Sequence, residues 1–165
     1  MKRYIFAVVI PLFLVLAAAG FFYKRYRIPP TIDLPVILLT NLSGHEVFLQ
    51  SYAGHPLFIS FFASWCGPCM RELPELADLQ SKLSDQKLQV VCICDEPVEK
   101  LQALQAHFGD RLIFLHSEKK FHDINIYTYP TNYIFNPKGL KVYEQLYPED
   151  WESTDVINRI RQLIE

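Results

Sequence analysis

The segment LFISFFASWCGPCMRELP, residues 57–74, decides the fold of this chain. Its first part, residues 57–62, is an apolar and aromatic run with the length of a buried strand. Ala63 and Ser64 then lead into a helix that is predicted to begin near Cys66. A thiol at a helix N-terminus is surrounded by free backbone N–H groups and the positive end of the helix dipole, which lower its pKa. We therefore expect Cys66 to be the reactive nucleophile.

A second thiol follows in the motif Cys66-Gly67-Pro68-Cys69. Because Cys69 lies about one helical turn further along, the two sulfurs can form a disulfide, and Cys69 is the more shielded of the two. Gly67 permits a tight turn, and Pro68 occupies an early helical position where its missing N–H costs nothing. Cys69 is therefore the expected resolving thiol.

The same C-x-x-C spacing also forms half of a structural zinc site, which needs four ligands. The chain contains no second C-x-x-C and no H-x-x-x-H pair. Its histidines are scattered, at His45, His55, His107, His116 and His122. We therefore expect no metal site.

The motif WCGPC after an aromatic strand resembles the active site of the thioredoxin superfamily. The longer match FFASWCGPCMRELPEL, residues 61–76, is similar to membrane-tethered thiol-disulfide oxidoreductases of the TlpA/ResA type, several of which serve cytochrome c maturation. Tyr129-Pro130-Thr131, with residues 132–139 after it, resembles the cis-proline loop, strand and hairpin of that family. The resemblance extends weakly over most of residues 31–165. It implies an α/β fold, a thioredoxin-like mixed β-sheet flanked by helices.

The resemblance also implies a substrate-binding loop opposite the thiols. If the Tyr129-Pro130 bond is cis, the chain turns tightly and brings the Tyr129 backbone beside the two cysteines. A protein substrate would then pair its main chain with this loop by strand addition, and the expected substrate-binding residues are Trp65, Tyr129, Pro130 and Thr131. An ordinary trans turn before a strand is the alternative.

Glu72 is the candidate proton shuttle, three residues beyond Cys69 on the predicted helix. It matches a glutamate that is thought to lie near the active site in the tethered family. Partial burial would raise its pKa and let it exchange a proton with Cys69. The alternative is a solvated carboxylate that interacts with the helix dipole. Ser60 stands where thioredoxin carries a buried aspartate, so Glu72 would take over that role.

Residues 1–27 are predicted to be a membrane anchor with basic flanks. The uncharged run of residues 4–23 would span about 30 Å as a helix, which matches the hydrocarbon core of a bilayer. A cleaved signal peptide is the competing interpretation, because Ala17-Ala18-Ala19 offers a small-residue cleavage pattern. Phe21 and Phe22 prolong the apolar run past that pattern, which favours an uncleaved single transmembrane helix.

Lys2, Arg3 and the amino terminus carry as many positive charges before this run as Lys24, Arg25 and Arg27 carry after it, so the charges leave the topology open. The resemblance implies a catalytic domain outside the cytoplasmic membrane, in a periplasm or on the cell exterior. Residues 28–31 read as a short stiff spacer, and the thioredoxin-like domain extends over residues 28–165. A net charge of −2 without a basic stripe argues against nucleic acid as a partner.

The remaining pattern predicts further strands and two more helices. The strands are residues 36–39, 47–49, 90–94, 112–116, 133–135 and 141–145. Asp95 is expected to cap a helix that begins near Pro97, and Ser153 or Thr154 to cap the last helix. Trp151 is expected to fill the core.

Cys92 and Cys94 point to the same face of one predicted strand, which is a poor geometry for a disulfide between them. One hypothesis makes them a second redox pair or a Cu(I) site. The other treats them as small buried core residues, which is common for free cysteines.

These expectations combine into one predicted function. The Cys66 thiolate would attack a protein disulfide and Cys69 would resolve the mixed disulfide, so neither a metal nor an organic cofactor is required. The Gly-Pro pair between the cysteines is the one found in reducing thioredoxins and favours a protein-disulfide reductase. By resemblance, apocytochrome c is the expected client and a transmembrane electron donor the expected upstream partner. The alternatives are a tethered oxidant or isomerase and, from another class, a copper metallochaperone.

Overall fold

The computed structural model describes residues 37–165, and its centre is a seven-stranded mixed sheet. The strands are β1 (Leu39–Thr40), β2 (Glu46–Val47), β3 (Leu57–Phe61), β4 (Gln89–Cys94), β5 (Ile113–Ser117), β6 (Thr131–Phe135) and β7 (Lys141–Gln145). The helices are α1 (Gly67–Lys82), α2 (Val98–Phe108) and α3 (Thr154–Ile164). Short 3-10 helices cover Leu49–Tyr52, Ser84–Gln86, Gly109–Arg111 and Phe121–Ile124. The strands follow the order β2-β1-β5-β4-β3-β6-β7 across the sheet.

The predicted membrane anchor, residues 1–27, and the spacer, residues 28–31, lie outside the described residues. From residue 37 to residue 165, no helix combines the length and the apolar character needed to cross a membrane.

Strand β3 lies in the middle of the sheet and leads into α1. It pairs in parallel with β4 and antiparallel with β6, and all five of its residues are buried. A continuous apolar strand is typical of a sheet that is covered on both faces. The structure therefore confirms the predicted strand at residues 57–62 and the predicted helix that follows it.

The β1–β2 hairpin is shorter than predicted. Strands were expected at residues 36–39 and 47–49, but Leu49 begins a 3-10 helix and β2 ends at Val47. In the turn between the two strands, the Asn41 side-chain oxygen accepts the backbone N–H groups of Ser43 and His45, each at 3.0 Å. Leu49 is the buried residue of this 3-10 helix, and β2 ends before the helix begins.

The predicted caps are wrong at the level of side-chain hydrogen bonds. Asp95 does not cap α2; its carboxylate accepts the backbone N–H of Phe121 at 3.1 Å, and Pro97 occupies the N-cap position. Ser153 is the N-cap of α3, but its side chain makes no capping hydrogen bond. The Asp95 carboxylate therefore binds a backbone N–H that is 26 residues away in the chain and not the start of α2.

The core between α1, α3 and the sheet is built from apolar side chains of both helices. The buried residues of these helices include Leu73, Leu76, Leu79, Val156, Ile160 and Ile164, and Leu83 is buried just after α1. Trp151 is fully buried, and its ring lies edge-on to Phe58 with centroids 4.9 Å apart. The expectation that Trp151 fills the core is confirmed.

Candidate active site

The structure joins Cys66 and Cys69 in a disulfide at the N-terminus of α1. Their Cα atoms are 5.3 Å apart. Cys66 is the N-cap of the helix, and its Sγ accepts the backbone N–H of Cys69 at 3.3 Å. Cys66 is 6% exposed and Cys69 1%, so Cys66 is the more accessible residue of the pair. The roles of Cys66 as nucleophile and Cys69 as resolving thiol stay predictions.

The disulfide lies beside an aromatic surface. Trp65 is 69% exposed, and its ring contacts Tyr129 edge-on with centroids 5.5 Å apart. The Tyr129-Pro130 peptide bond is cis. The structure therefore brings Trp65 and the predicted substrate loop together, as expected from the two motifs.

Pro130 and Thr131 contribute little side-chain surface to this region. Both are buried, and the Thr131 hydroxyl donates to the backbone carbonyl of Thr128 at 2.9 Å. Thr131 also begins β6, where it pairs with Phe61 of β3. A substrate could therefore use the backbone of this loop but would find its exposed side chains at Trp65 and, in part, Tyr129.

Glu72 lies one helical turn beyond Cys69 and is only 3% exposed. Its Oε1 accepts the Trp151 indole N–H at 2.7 Å and the Glu149 backbone N–H at 3.4 Å. The Asn132 amide donates to both carboxylate oxygens at 3.4 Å. Glu72 is thus buried among neutral donors, and the solvated alternative is wrong. Its role in proton transfer stays a prediction.

Burial raises the pKa of Glu72 above its ordinary value. The hydrogen bonds from Trp151, Asn132 and Glu149 lower the pKa, but they offset burial only in part, and the nearby charge of Glu75 raises it further. A raised pKa is what a carboxylate needs in order to exchange protons near neutral pH.

A row of buried side chains crosses the sheet beneath α1. Ser60 of β3 pairs with Cys92 of β4 on one side and with Asn132 of β6 on the other. Asn132 is fully buried, and its Oδ1 has no hydrogen-bond partner within residues 37–165. The contact between Asn132 and Glu72 was not predicted, although Asn132 directly follows the recognised Tyr-Pro-Thr motif.

Cys92 and Cys94 are unbonded and buried. Burial raises the pKa of the Cys94 thiol to about 12 and also raises the pKa of the Cys92 thiol. Both belong to the apolar cluster between the sheet and α1. This arrangement supports the hypothesis of small core residues. In the part of the chain that the structure describes, no group of three or more His, Cys, Asp or Glu side chains could hold a metal ion.

Glu96 was not predicted as a site residue, yet it contacts the segment just before Cys66. Its carboxylate accepts the backbone N–H and the hydroxyl of Ser64, the latter at 3.0 Å. Lys100, one turn into α2, donates to the same carboxylate. The available sequence signal was an acidic residue just past the carboxyl end of a strand that neighbours the active-site strand.

The AhpC/TSA family matches residues 30–143. The chain belongs to this family. The thioredoxin-like protein YneN of Bacillus subtilis (strain 168) is 33% identical over 111 residues, which are 64% of this chain and 65% of YneN. The thiol-disulfide oxidoreductase ResA of Geobacillus kaustophilus is 26% identical over 137 residues, which are 78% of this chain and 79% of ResA. The chain therefore spans just under two thirds of YneN and about four fifths of that ResA.

Two solved structures show the same fold. An uncharacterized thioredoxin-like protein from Porphyromonas gingivalis aligns with a TM-score of 0.66 and 26% identity, covering 81% of this chain and 92% of the other. A thiol:disulfide interchange protein from Chlorobium tepidum aligns with a TM-score of 0.60 and 19% identity, covering 73% and 89%. The described residues therefore have a thioredoxin-like fold, which carries the Cys66–Cys69 disulfide.

Proposed function

We propose that this chain is a membrane-tethered, extracytoplasmic thiol-disulfide oxidoreductase that reduces protein disulfides. The observation that carries the proposal is the Cys66–Cys69 disulfide at the N-terminus of α1, beside the exposed ring of Trp65. A helix N-terminus stabilises the thiolate that attacks, and an exposed aromatic surface next to it suits a protein substrate. The relatives named thiol-disulfide oxidoreductase support the same chemistry.

The reaction transfers two electrons from the dithiol to the substrate. The Cys66 thiolate attacks one sulfur of a substrate disulfide, forms a mixed disulfide and releases the other sulfur as a thiolate. Cys69 then loses its proton and attacks Cys66, which releases the second substrate thiolate and closes the Cys66–Cys69 disulfide. No metal or organic cofactor takes part, because the electrons move between sulfur atoms. Reversal of the same steps would oxidise a substrate dithiol.

We assign Glu72 as the group that exchanges a proton with Cys69. It lies one helical turn away, is buried, and has a raised pKa. A carboxylate of this kind accepts a proton when Cys69 attacks and returns it when the dithiol is regenerated. Hydrogen bonds from Trp151, Asn132 and Glu149 support this assignment, because they hold the carboxylate in a buried position one helical turn from Cys69.

The location and the partners follow from the N-terminal sequence and the resemblance. The apolar run of residues 4–23 would anchor the chain in the cytoplasmic membrane with the catalytic domain facing the periplasm or the cell exterior. The client is then an extracytoplasmic protein disulfide, with apocytochrome c as the candidate. The Cys66–Cys69 disulfide would be reduced again by a transmembrane electron donor.

The reduction potential of the Cys66–Cys69 couple tests the direction of electron flow. The full chain in detergent is equilibrated against dithiothreitol or glutathione buffers, with Cys66→Ser as the control that removes the couple. A potential near or below about −250 mV supports the reductase. A value between about −180 and −120 mV, in the range of isomerases and strong oxidants, would make the chain a disulfide donor or isomerase instead.

Carbonate extraction of membranes from expressing cells tests the anchor. We expect the full-length chain to stay in the membrane pellet. A soluble product that begins near Ala19 would show that the run is a cleaved signal peptide.

A further inference from the structure

The position of Cys66 depends on a turn between β3 and α1. The Cys66 backbone N–H donates to the Ala63 carbonyl at 3.0 Å, so residues 63–66 form the turn and Ser64 and Trp65 are its central residues. On its strand side the turn is held by Phe62, whose N–H donates to the Ile93 carbonyl at 3.0 Å. The conformation of this turn therefore sets where the Cys66 sulfur and the exposed Trp65 ring lie.

A single carboxylate holds the first central residue of this turn. Glu96 accepts the backbone N–H of Ser64 through Oε2 and the Ser64 hydroxyl through Oε1. Two hydrogen bonds from one residue to the two oxygens of a carboxylate fix both its position and its orientation. Glu96 is only 9% exposed, so water competes weakly for these oxygens.

The sheet topology brings Glu96 to this position. β3 and β4 are adjacent and parallel, so their carboxyl ends meet at the same edge of the sheet. Ser64 follows β3 by three residues and Glu96 follows β4 by two. Lys100, four residues further along in α2, donates to Glu96 Oε1 and also to the Ser64 hydroxyl oxygen at 3.1 Å. Ser64, Glu96 and Lys100 thus form a closed hydrogen-bonded cluster.

The carboxylate in this cluster is ionised. Burial alone would raise the pKa of Glu96, but the hydrogen bonds from Lys100, Ser64 and Cys94 outweigh burial and hold the pKa below its ordinary value. The Cys94 thiol donates to Oε2 at 3.5 Å. Both oxygens are therefore available as acceptors at neutral pH, and each has more than one donor.

We propose that Glu96 is a positioning residue for thiol-disulfide exchange, which acts through Ser64 to hold the turn that presents Cys66. This proposal deepens the proposed function and rests on it. Glu96 does not take part in the chemistry itself; it reduces the number of orientations in which the Cys66 sulfur can meet a substrate disulfide. Orientation of reacting groups is worth large factors in rate, and small displacements reduce it.

The test measures the rate at which reduced full-length chain in detergent reacts with dithiobis(nitrobenzoate). The Cys66 thiolate attacks this small disulfide and releases one thionitrobenzoate anion, and Cys69 releases the second by closing the Cys66–Cys69 disulfide. The absorbance of the anion gives the rate, and Cys66→Ser gives the background from other thiols. Such a probe needs no docking surface, so a change in rate reports on Cys66 itself.

Glu96→Gln is the main variant, because it keeps the size of the side chain but replaces one acceptor oxygen by a donor. We expect its exchange rate to fall about tenfold. The matched control is Glu99→Gln, which changes an exposed acidic residue of α2 and should leave the rate unchanged. A Glu96→Gln rate within twofold of the control, in a chain with native near-UV circular dichroism, would overturn the proposal even if its melting temperature were lower.

Ser64→Ala keeps the inference testable if Glu96→Gln does not fold. It removes the hydroxyl contact but keeps the backbone N–H contact, so the expected loss is smaller, about threefold. The double variant should be slowed by less than the product of the two single losses, because both changes act on the same contact. A Ser64→Ala rate equal to the control, or losses that multiply in the double variant, would count against the proposal.

Failure of the proposed function would look different. A wild-type chain that reacts normally with the small disulfide but does not reduce insulin disulfides would contradict the proposed function. In that case the effect of Glu96→Gln on the small-disulfide rate would still decide whether Glu96 positions Cys66.

Discussion

Two buried glutamates lie on opposite sides of the disulfide motif, one within α1 and one in contact with Ser64, and their pKa values shift in opposite directions. Glu72 lies beyond Cys69 in α1 and its pKa is raised, whereas Glu96 holds Ser64 before Cys66 and its pKa is lowered. Both side chains receive several hydrogen bonds, so the number of donors does not explain the difference.

Glu72 is the more deeply buried of the two carboxylates, and the hydrogen-bond donors of the two also differ in charge. Glu72 receives neutral N–H groups from Trp151, Asn132 and Glu149 and has the like charge of Glu75 nearby. Glu96 receives an ammonium hydrogen bond from the half-exposed Lys100. A buried carboxylate without a cation favours its protonated form, while one paired with a cation stays ionised. One site can therefore exchange a proton, and the other can serve as a fixed anchor.

Removal of the disulfide should have the largest effect on activity. Both carboxylates are compared by their position relative to Cys66 and Cys69, which must therefore be the reacting pair. We expect Cys66→Ser to abolish reduction of insulin disulfides, with a loss of more than about a thousandfold, since the thiolate is the nucleophile. Cys69→Ser should instead accumulate a mixed disulfide at Cys66, visible by mass spectrometry. A Cys66→Ser chain that retains activity would show that another thiol reacts.

Glu96→Gln should reduce the free energy of unfolding at pH 7 by about 1–3 kcal/mol, because a donor of Ser64 or Lys100 loses its acceptor. The pKa of Glu96 is lower in the folded chain than in the unfolded chain, so the ionised carboxylate stabilises the fold. This contribution is fully present above the unfolded pKa of about 4.3 and is lost as pH falls through the folded pKa. Urea unfolding of the oxidised domain without residues 1–27, from pH 7 to pH 3, measures the effect, with Glu99→Gln as control. A loss that stays constant down to pH 3 would contradict the role of the charge.

Glu72→Gln should change the free energy of unfolding least, and in the opposite direction to Glu96→Gln. The pKa of Glu72 is higher in the folded chain than in the unfolded chain. The contribution of Glu72 to stability is therefore fully present below the unfolded pKa of about 4.3 and is lost as pH rises through the folded pKa. Glutamine resembles the protonated form and can still accept the Trp151 N–H. In the same urea experiment we expect the variant to equal wild type near pH 4 and to be as stable or more stable, by about 1 kcal/mol, at pH 7. Lower stability at pH 7 would show that the neutral donors stabilise an ionised Glu72.

Much of the fold and the centre of the site could be predicted from local sequence. The strand at residues 57–62, the helix after it and the disulfide all follow from one continuous segment, in which hydrophobic pattern, turn residues and cysteine spacing agree. The hairpin of β6 and β7 and the strand at residues 90–94 were also predicted correctly. Short strands and capping side chains were not predicted correctly, because weak local preferences were overridden by contacts with distant residues. Asp95, for example, accepts the backbone N–H of Phe121.

The sequence by itself determined that two thiols stand at a helix N-terminus, that an aromatic strand precedes them, and that a Tyr-Pro-Thr loop is present to face them. These are properties of residues that are close together in the chain. Only the tertiary structure decided how the two carboxylates behave, because their partners are far away: Trp151 lies 79 residues from Glu72, and Ser64 lies 32 residues from Glu96. Burial and the charge of the nearest donor set a carboxylate's pKa, and both depend on which distant residues the fold brings together.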